Sequence, residues 1–581
     1  MRRVFGWILG IAVLVLGWCI PTFTASAAES SDIEISSLSP EVWTGGSDLT
    51  ISVKSSLPVA PGWDVEVFLY DSSLTDDEHA QRYVAGETFP GWRVLAGSLS
   101  REQITTSDST SSVHVTIPAD IMADVIPDGS GLRGLSVELT GPDGASWVAR
   151  SLVVYNLQEV PSTQINVVAL DPEDSQEWSA LPGVSVASPT PTGTDLPLPM
   201  ENADLSLLAA TGSKDLLDLA LSTRSPSDIP VVFASEAGFS IDAISALPEQ
   251  VWVAPPSWSA PQSLVTPTSR TEVDGVSLLD QWDPGAELLN MPEGSDSEEL
   301  QIRQRLRASA LWVGLEDPED QRTLFMVVNK PDTGTALHRV RALLDGSWIT
   351  PVSFQAVLDS PLSIVERGIL PSIGDDALAA AHILSPLSEH YSQARSVAEA
   401  TPLGVSALDA YLPKVLAPTA YDLSLGDREK LVSAALRELH AFVDIIDVVP
   451  LGTVNVVNSS ANFPVSVMNK GDTEISLRVA LRPSDPRLQS KKPAYIQVPA
   501  REQVEVQIPI TAVGYGDVEV AVEVATAAGV VLDDSEVVSV RVRADWEDTW
   551  TIIALSVFGA LFVFGLARTI IKRRKPVGDN Q

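Results

Sequence analysis

Strict alternation of apolar and polar residues marks two regions of this chain. In one, Ile475, Leu477, Val479 and Leu481 alternate with Ser476, Arg478, Ala480 and Arg482. Nearby, Val518, Val520, Val522 and Val524 leave Glu519 and Glu523 on the opposite side. A period of two puts one face in a core and the other towards water, so these are half-buried strands with the glutamates facing out. Asn469-Lys470-Gly471-Asp472 is a turn signal, so residues 463–482 (FPVSVMNKGDTEISLRVALR) are expected to form two strands of one sheet. With TVNVV, AYIQVP, QVEVQIPI and VVSVRVR, about seven strands fall within 451–544, the number a small immunoglobulin-like β-sandwich uses. Residues 33–157 repeat this grammar in DLTISV, DVEVFLY, SVHVTI, LSVELT and WVARSLVVY. A Gly141-Pro142-Asp143-Gly144 turn separates the last two, and a second β-sandwich is expected there.

Between these regions the pattern changes. INVVAL, IPVVFAS, QVWVAPP, SALWVGL and RTLFMVVN are apolar without alternation, as strands buried on both faces are. Helical spacing appears between them, at 213–222 and 297–308, and TALHRVRALLDG ends on Gly346 as a helix stop. Strand–helix alternation over 162–373 predicts a degenerate, barrel-like α/β domain with a parallel sheet, interrupted by long Pro/Ser/Thr-rich breaks. Residues 374–447 carry apolar positions at helical spacing and read as a helical block.

Both ends are hydrophobic in another way. Arg2 and Arg3, an apolar run from Val4 to Ile20 and the small residues Ala25-Ser26-Ala27 make residues 1–27 a secretory signal, with cleavage after Ala27 or Ala28. Residues 550–571 are apolar for about 22 positions, enough to cross a bilayer. Lys572, Arg573, Arg574 and Lys575 open a basic tail, 572–581, that the positive-inside rule puts in the cytoplasm. The expected product is a multidomain α+β protein of the plasma membrane, single-pass, with its N-terminal region outside. Ser556 and Ala560 have the small-xxx-small spacing of helix contacts; the oligomeric state is left open.

Composition narrows the function. A net charge of −38, from 76 acidic and 38 basic side chains, repels phosphate backbones and argues against nucleic-acid partners. Cys19, the one cysteine, lies inside the signal, so the mature chain has no thiol for disulfides, metal sites or nucleophilic catalysis. Among the six histidines, His382 and His390 share a helical segment but stand eight apart with Pro386 between them, which is no zinc spacing. No phosphate loop and no Gly-x-Ser-x-Gly elbow occurs. Carboxylates do follow expected strands: Asp171 after INVVAL, Glu236 after VVFAS, Glu316 and Asp317 after LWVGL. Two of them facing each other across about 5–9.5 Å could act as acid and base on a glycosidic bond. In so acidic a chain, carboxylates also reach strand ends by chance. Trp252, Trp258, Trp282 and Trp312 could stack on a sugar, although core packing is the commoner use of such residues. No catalytic, cofactor-binding or metal-binding residue is therefore assigned.

The stretches NSSANFPVSVMNKGDTEISLRVALRPSDPRL, VPAREQVEVQIPITAVGYGDVEVAVEV and VVSVRVRADWEDTWTIIAL with its basic stop carry a resemblance. So do LLDGSWITPVSFQAVLDSP and ISSLSPEVWTGGSDLTISVKS. Together they are similar to a family of actinobacterial secreted, single-pass envelope proteins of unknown function, often encoded beside the lipid II flippase. The resemblance covers most of the mature chain and is firmest after about residue 340. It implies a degenerate α/β barrel in the middle and a role in cell-envelope biogenesis through contacts with wall-synthesis membrane proteins. VVFASEAGFSID departs from the acidic-aromatic pattern expected after that strand. The expectation is a non-enzymatic envelope protein with a large extracellular interaction region, assisting envelope or peptidoglycan biogenesis. The alternative is an anchored glycan-binding or glycan-hydrolysing protein using Glu236 and Glu316.

Overall fold

The computed structural model describes residues 32–57, 63–87, 91–99, 111–227, 229–256, 258, 265–273, 275–316, 321–331, 334–365, 369–421, 423–449, 452, 454–456, 459–514, 516–533, 536–542 and 546–572. The expected signal, Asp317 and the tail beyond Lys572 lie outside them. Within them the protein is a mixed α+β assembly of several sheets with one C-terminal apolar helix.

The first sheet runs Ile33–Ser39, Leu49–Ser55, Ser111–Ile117, all antiparallel. The second runs Val42–Trp43, Ser146–Asn156, Ser130–Thr140, Asp64–Leu74, Arg93–Leu99. Leu49, Ile51 and Val53 of one sheet and Val67, Val137 and Leu139 of the other share one core, which is why alternation made these strands legible.

In the middle, Thr163–Leu170 is flanked by parallel strands: Val184–Ser188 on one side, Thr323–Asn329 on the other, with Ile349–Pro351 also paired to it. A second sheet takes the order Val231–Phe233, Val251–Val253, Val276–Leu279, Arg270–Val273, the last antiparallel. The two join where Ser269 N–H donates to Thr323 O (2.9 Å) and Trp282 N–H to Phe325 O (2.8 Å). The result is a curled wall. Its inner face buries Val168, Leu170, Val231, Val253, Leu279, Phe325 and Val327 together. Leu324, Met326 and Val328 point outward into a helical layer. Both faces are covered, so these strands show no alternation.

One expected strand is a helix. SALWVGL forms the end of helix Asp296–Glu316, not a strand. The helix is wedged between the curled wall and the first β region: Ile302, Leu306 and Leu311 pack in the central layer, and Leu300 enters the core of the first two sheets. The end of this helix, residues 308–314, is buried on nearly all sides, and such a short apolar run looks like that of a buried strand. Polar contacts fix the dock. Arg305 forks onto Asp77 (Nε–Oδ1 and Nη2–Oδ2, both 2.6 Å), while Arg303 (3.2 Å) and Arg307 pair with Glu41. Burial pushes the Glu41 carboxyl up, but Arg307 and Arg303 outweigh it and hold its pKa below the ordinary glutamate range. A carboxyl depressed in the folded state stabilises above its unfolded pKa, and that stability is lost as pH falls through the folded value. Glu41→Gln is expected to cost about 1–3 kcal/mol at neutral pH and to flatten the acid limb of stability against pH. Urea midpoints measured from pH 7 down to about 3 check both.

The helices Asp375–Glu399 and Leu425–Val443 pack against each other and against the second parallel sheet. Leu384, Leu387, Ala435 and Leu439 share a core with Trp252, Leu278 and Leu216. The last β region has two sheets on one core. One runs Ile446–Val448, Ser460–Asn469, Gln503–Ala512, Leu488–Ser490. The other runs Val454–Val456, Val537–Val542, Gly516–Thr526, Ile475–Pro483, Ala494–Val498. Residues 463–482 are therefore not two strands of one sheet: the chain crosses from one sheet to the other between Asn469 and Ile475. Glu523 lies on the outer face as expected but is buried there, opposite Ala480, beneath Arg478 (2.9 Å) and Arg482. Helix Trp546–Lys572 follows, and Ile552–Ile570, with a mean hydropathy of 2.0, is long and apolar enough to span a membrane.

Candidate functional site

A cleft opens past the carboxyl ends of the adjacent parallel strands Val231–Phe233 and Val251–Val253, where α/β folds place ligands. Its volume is about 680 Å³. Glu236, Ala237 and Phe239 come from the loop after the first strand, and Pro255 and Trp258 from the loop after the second. Ile369, Pro371 and Ser372 come from the connection leading to helix Asp375–Glu399. Gly374, Asp375, Asp376 and Ala377, at the start of that helix, complete it.

The loop bearing Glu236 is pinned from beneath. Asp204 caps the helix Leu205–Ala210, accepting from Leu207 N–H (2.9 Å) and from the Ser206 hydroxyl (2.5 Å). Ser206 Oγ in turn accepts from Ser235 N–H (3.0 Å), and Ser235 Oγ accepts from Gly238 N–H (3.0 Å). Burial pushes the Asp204 carboxyl up, against hydrogen bonds from Ser206, Ser235 and the Leu207 amide and the charge of Arg428. Gly238 is required here, because a Cβ would collide with Ser206 and the Leu207 amide. Beyond the turn, Phe239 meets Trp258 edge to face (centroids 5.3 Å, 66°). Ile241 N–H donates to Pro371 O (3.0 Å), tying the far wall to the near one.

The carboxylates of the hydrolytic alternative do not meet. Glu316 ends a helix and sits at the opposite, amino end of the parallel sheet. It accepts there from Thr266 N–H (2.6 Å) and Arg322 Nη1 (3.0 Å), just before strand Thr323–Asn329. Asp171 closes strand Thr163–Leu170 with a left-handed backbone (φ 52°) and its N–H bonded to Ala187 O (2.7 Å). Of the described strand-end acids, Glu236 lines the cleft and Asp171 and Glu316 do not; it is joined by Asp375 and Asp376, which carried no signal beyond the acidic first turn of a helix. Trp252, Trp258 and Trp282 are core residues, and Trp312 packs against the central layer. His390 meets His440 of the neighbouring helix (ring centroids 4.3 Å) rather than His382, and the described residues contain no group of three or more His, Cys, Asp or Glu arranged to hold a metal.

Fold and cleft define a class: a mixed α+β protein with stacked β regions, a curled parallel wall and an apolar terminal helix. Residues 290–578, just under half the chain, match a family of unknown function, DUF6049. That match runs from before the wedged helix through the last β region and the apolar helix. A comparison with curated proteins finds no match. Among solved structures, a C. elegans MSP family member, WR4, is 17% identical over 17% of this chain and 98% of its own, with a TM-score of 0.13. Native alpha-2-macroglobulin from Escherichia coli is 24% identical over 17% of this chain and 16% of its own, with a TM-score of 0.14. Bacteroides uniformis beta-glucuronidase is 9% identical over 88% of this chain and 61% of its own, with a TM-score of 0.15. Scores this low say nothing about the fold, activity or ligands of this chain.

Proposed function

We propose that this is a single-pass cell-envelope protein that works by contact rather than catalysis. In this reading a cleaved signal exports the chain, residues 550–571 hold it in the plasma membrane with a short basic tail inside, and two immunoglobulin-like regions flank a degenerate α/β barrel outside. Its partners are membrane proteins of wall synthesis, and it assists envelope or peptidoglycan biogenesis, as the resemblance to actinobacterial envelope proteins encoded beside the lipid II flippase implies. The observation that carries the reading is the placement of the last β region. Only residues 543–545 separate strand Val537–Val542 from helix Trp546–Lys572, so a module with one shared core sits directly on the apolar helix. So short a link limits how far the module can move from the bilayer, which suits a docking surface for a membrane partner. The hydrolytic alternative is weakened because Glu236 and Glu316 lie at opposite ends of the parallel sheet.

In-cell crosslinking of the full chain, followed by identification of captured proteins, is the test. Recovery of a wall-synthesis membrane protein, lost when residues 454–543 are deleted with the anchor retained, is the expected result. Unchanged contacts and an unchanged envelope after that deletion would sink the docking role.

A further inference from the structure

Strands Ile475–Pro483 and Gly516–Thr526 turn Leu477, Val479, Leu481, Val520 and Val522 into the core, so their alternate residues form the outer face of the five-stranded sheet. Arg482, Ala521 and Val537 stand in one row across three strands of that face. Tyr495 stands opposite Arg478 on the edge strand Ala494–Val498. Tyr495 is 70% and Val537 54% exposed, beside a half-buried floor of Ala480 and Ala521.

Cations frame these groups. Arg478 and Arg482 both hold Glu523, which leaves one positive charge over. Strand Ala494–Val498 begins opposite Val479, so Lys491 and Lys492, just before it, lie at the same edge of the sheet. Both lysines are exposed, and neither has an ion pair or hydrogen bond in the structure. Glu474 and Glu519 lie at the two ends of this strip. By contrast, the four strands of the other sheet contain no lysine or arginine, and its outer face shows Asn462, Gln503, Glu505 and Gln507.

The anchor keeps this module at a bilayer. Helix Trp546–Lys572 has 27 residues and so is about 40 Å long, the thickness of a bilayer with its headgroups. Its first residue then lies at the outer headgroups, and the three residues 543–545 reach only about 11 Å. A chain of net charge −38 is repelled by anionic lipid, and cations next to the anchor offset that repulsion. Tyrosine suits the headgroup layer, with an apolar ring and a wet hydroxyl.

We propose that the outer face of the five-stranded sheet lies against the bilayer, with Tyr495 and Val537 at headgroup level and Arg482, Lys491 and Lys492 on lipid phosphates. This rests on the single-pass reading above, and it leaves the outer face of the four-stranded sheet to a protein partner.

The chain has one cysteine, Cys19, so a nitroxide can be placed at single sites in the full chain carrying Cys19→Ser. Three sites are compared in vesicles of equal parts phosphatidylglycerol and phosphatidylcholine. They are Gln497→Cys, two residues beyond Tyr495 on the same face, Glu505→Cys on the other face, and Leu561→Cys within the helix. Collisions with oxygen, which concentrates in lipid, are measured against collisions with a water-soluble nickel chelate. The label at position 561 is expected in lipid, at 497 between lipid and water, and at 505 in water. Lys491→Glu with Lys492→Glu should shift the contact towards water by about tenfold or more, as should phosphatidylcholine alone, with the unfolding midpoint of the variant unchanged. If position 561 lies in lipid while 497 is as wet as 505, the proposal falls and the anchor stands; a wet position 561 overturns the anchor and the proposal together. Contact that ignores both the double variant and the lipid charge also overturns the proposal. Position 497 wet in these vesicles but shielded in native membranes would give the face to a protein, which overturns it too.

Discussion

Glu299→Ala is expected to destabilise the α/β region by about 3–5 kcal/mol, because it strands a buried guanidinium. Arg339, 1% exposed, forks onto Glu299 through Nε (2.9 Å) and Nη2 (2.5 Å). The same guanidinium donates to Met291 O (2.5 Å) and Pro292 O (3.0 Å), and Glu299 also accepts from Gly294 N–H (3.0 Å). One ion pair thus ties helix Thr335–Leu344 to the turn that opens the wedged helix Asp296–Glu316. Removing the carboxylate alone leaves a charge that water cannot reach, which costs more than the pair itself contributes. The double variant Glu299→Leu with Arg339→Met should therefore be more stable than Glu299→Ala, short of wild type by the carbonyls it leaves unpaired. Urea midpoints at constant m distinguish the cases. A double variant worse than Glu299→Ala would mean that the carbonyl contacts of Arg339, not the pair, hold the turn.

The wedged helix also shows where the sequence stops being readable. Alternation reveals which face of a strand meets water, so Leu49, Ile51 and Val53, or Val518, Val520 and Val522, declare themselves. A helix packed between two cores meets little water, and Leu311 and Val313 lose the 3.6 period that would have separated them from a strand. The crossing after Asn469 failed for another reason. Asn469-Lys470-Gly471-Asp472 is a good local turn, but pairing is decided by distant strands. The buried Asn469 amide holds the crossing instead, donating to Thr473 O (2.8 Å) and Val498 O (3.1 Å).

The candidate site was half legible. Glu236 could be picked out because strand ends in parallel sheets are places where ligands bind. Asp375 and Asp376 could not, since they reach the cleft only because the chain after the short helix Phe354–Leu358 brings helix Asp375–Glu399 to those strand ends, with Ser363 N–H bonded to Arg270 O (2.7 Å) on the way. His390 and His440 met for the same reason, through helix packing 50 residues apart in sequence.

Phe463→Ala should cost about 3–5 kcal/mol, confined to the last β region. Phe463 is fully buried in strand Ser460–Asn469, directly opposite Ile508, and its ring fills the space between two sheets that share this core and no other. Truncation removes the transfer free energy of the ring and leaves a cavity that two hydrogen-bonded sheets cannot collapse around. Phe463→Leu, which keeps most of the volume, should cost less than half as much. The pair of variants bears directly on function. If this module presents a surface to a membrane partner, Phe463→Ala should weaken crosslinking at temperatures where the module melts but the α/β region does not, and Phe463→Leu should restore it. Limited proteolysis within residues 454–542 would report the melting separately from the capture. Crosslinks that survive melting of the module would move the contact to the membrane helix or to the α/β region, because a surface built on two sheets cannot outlast the core that holds them together.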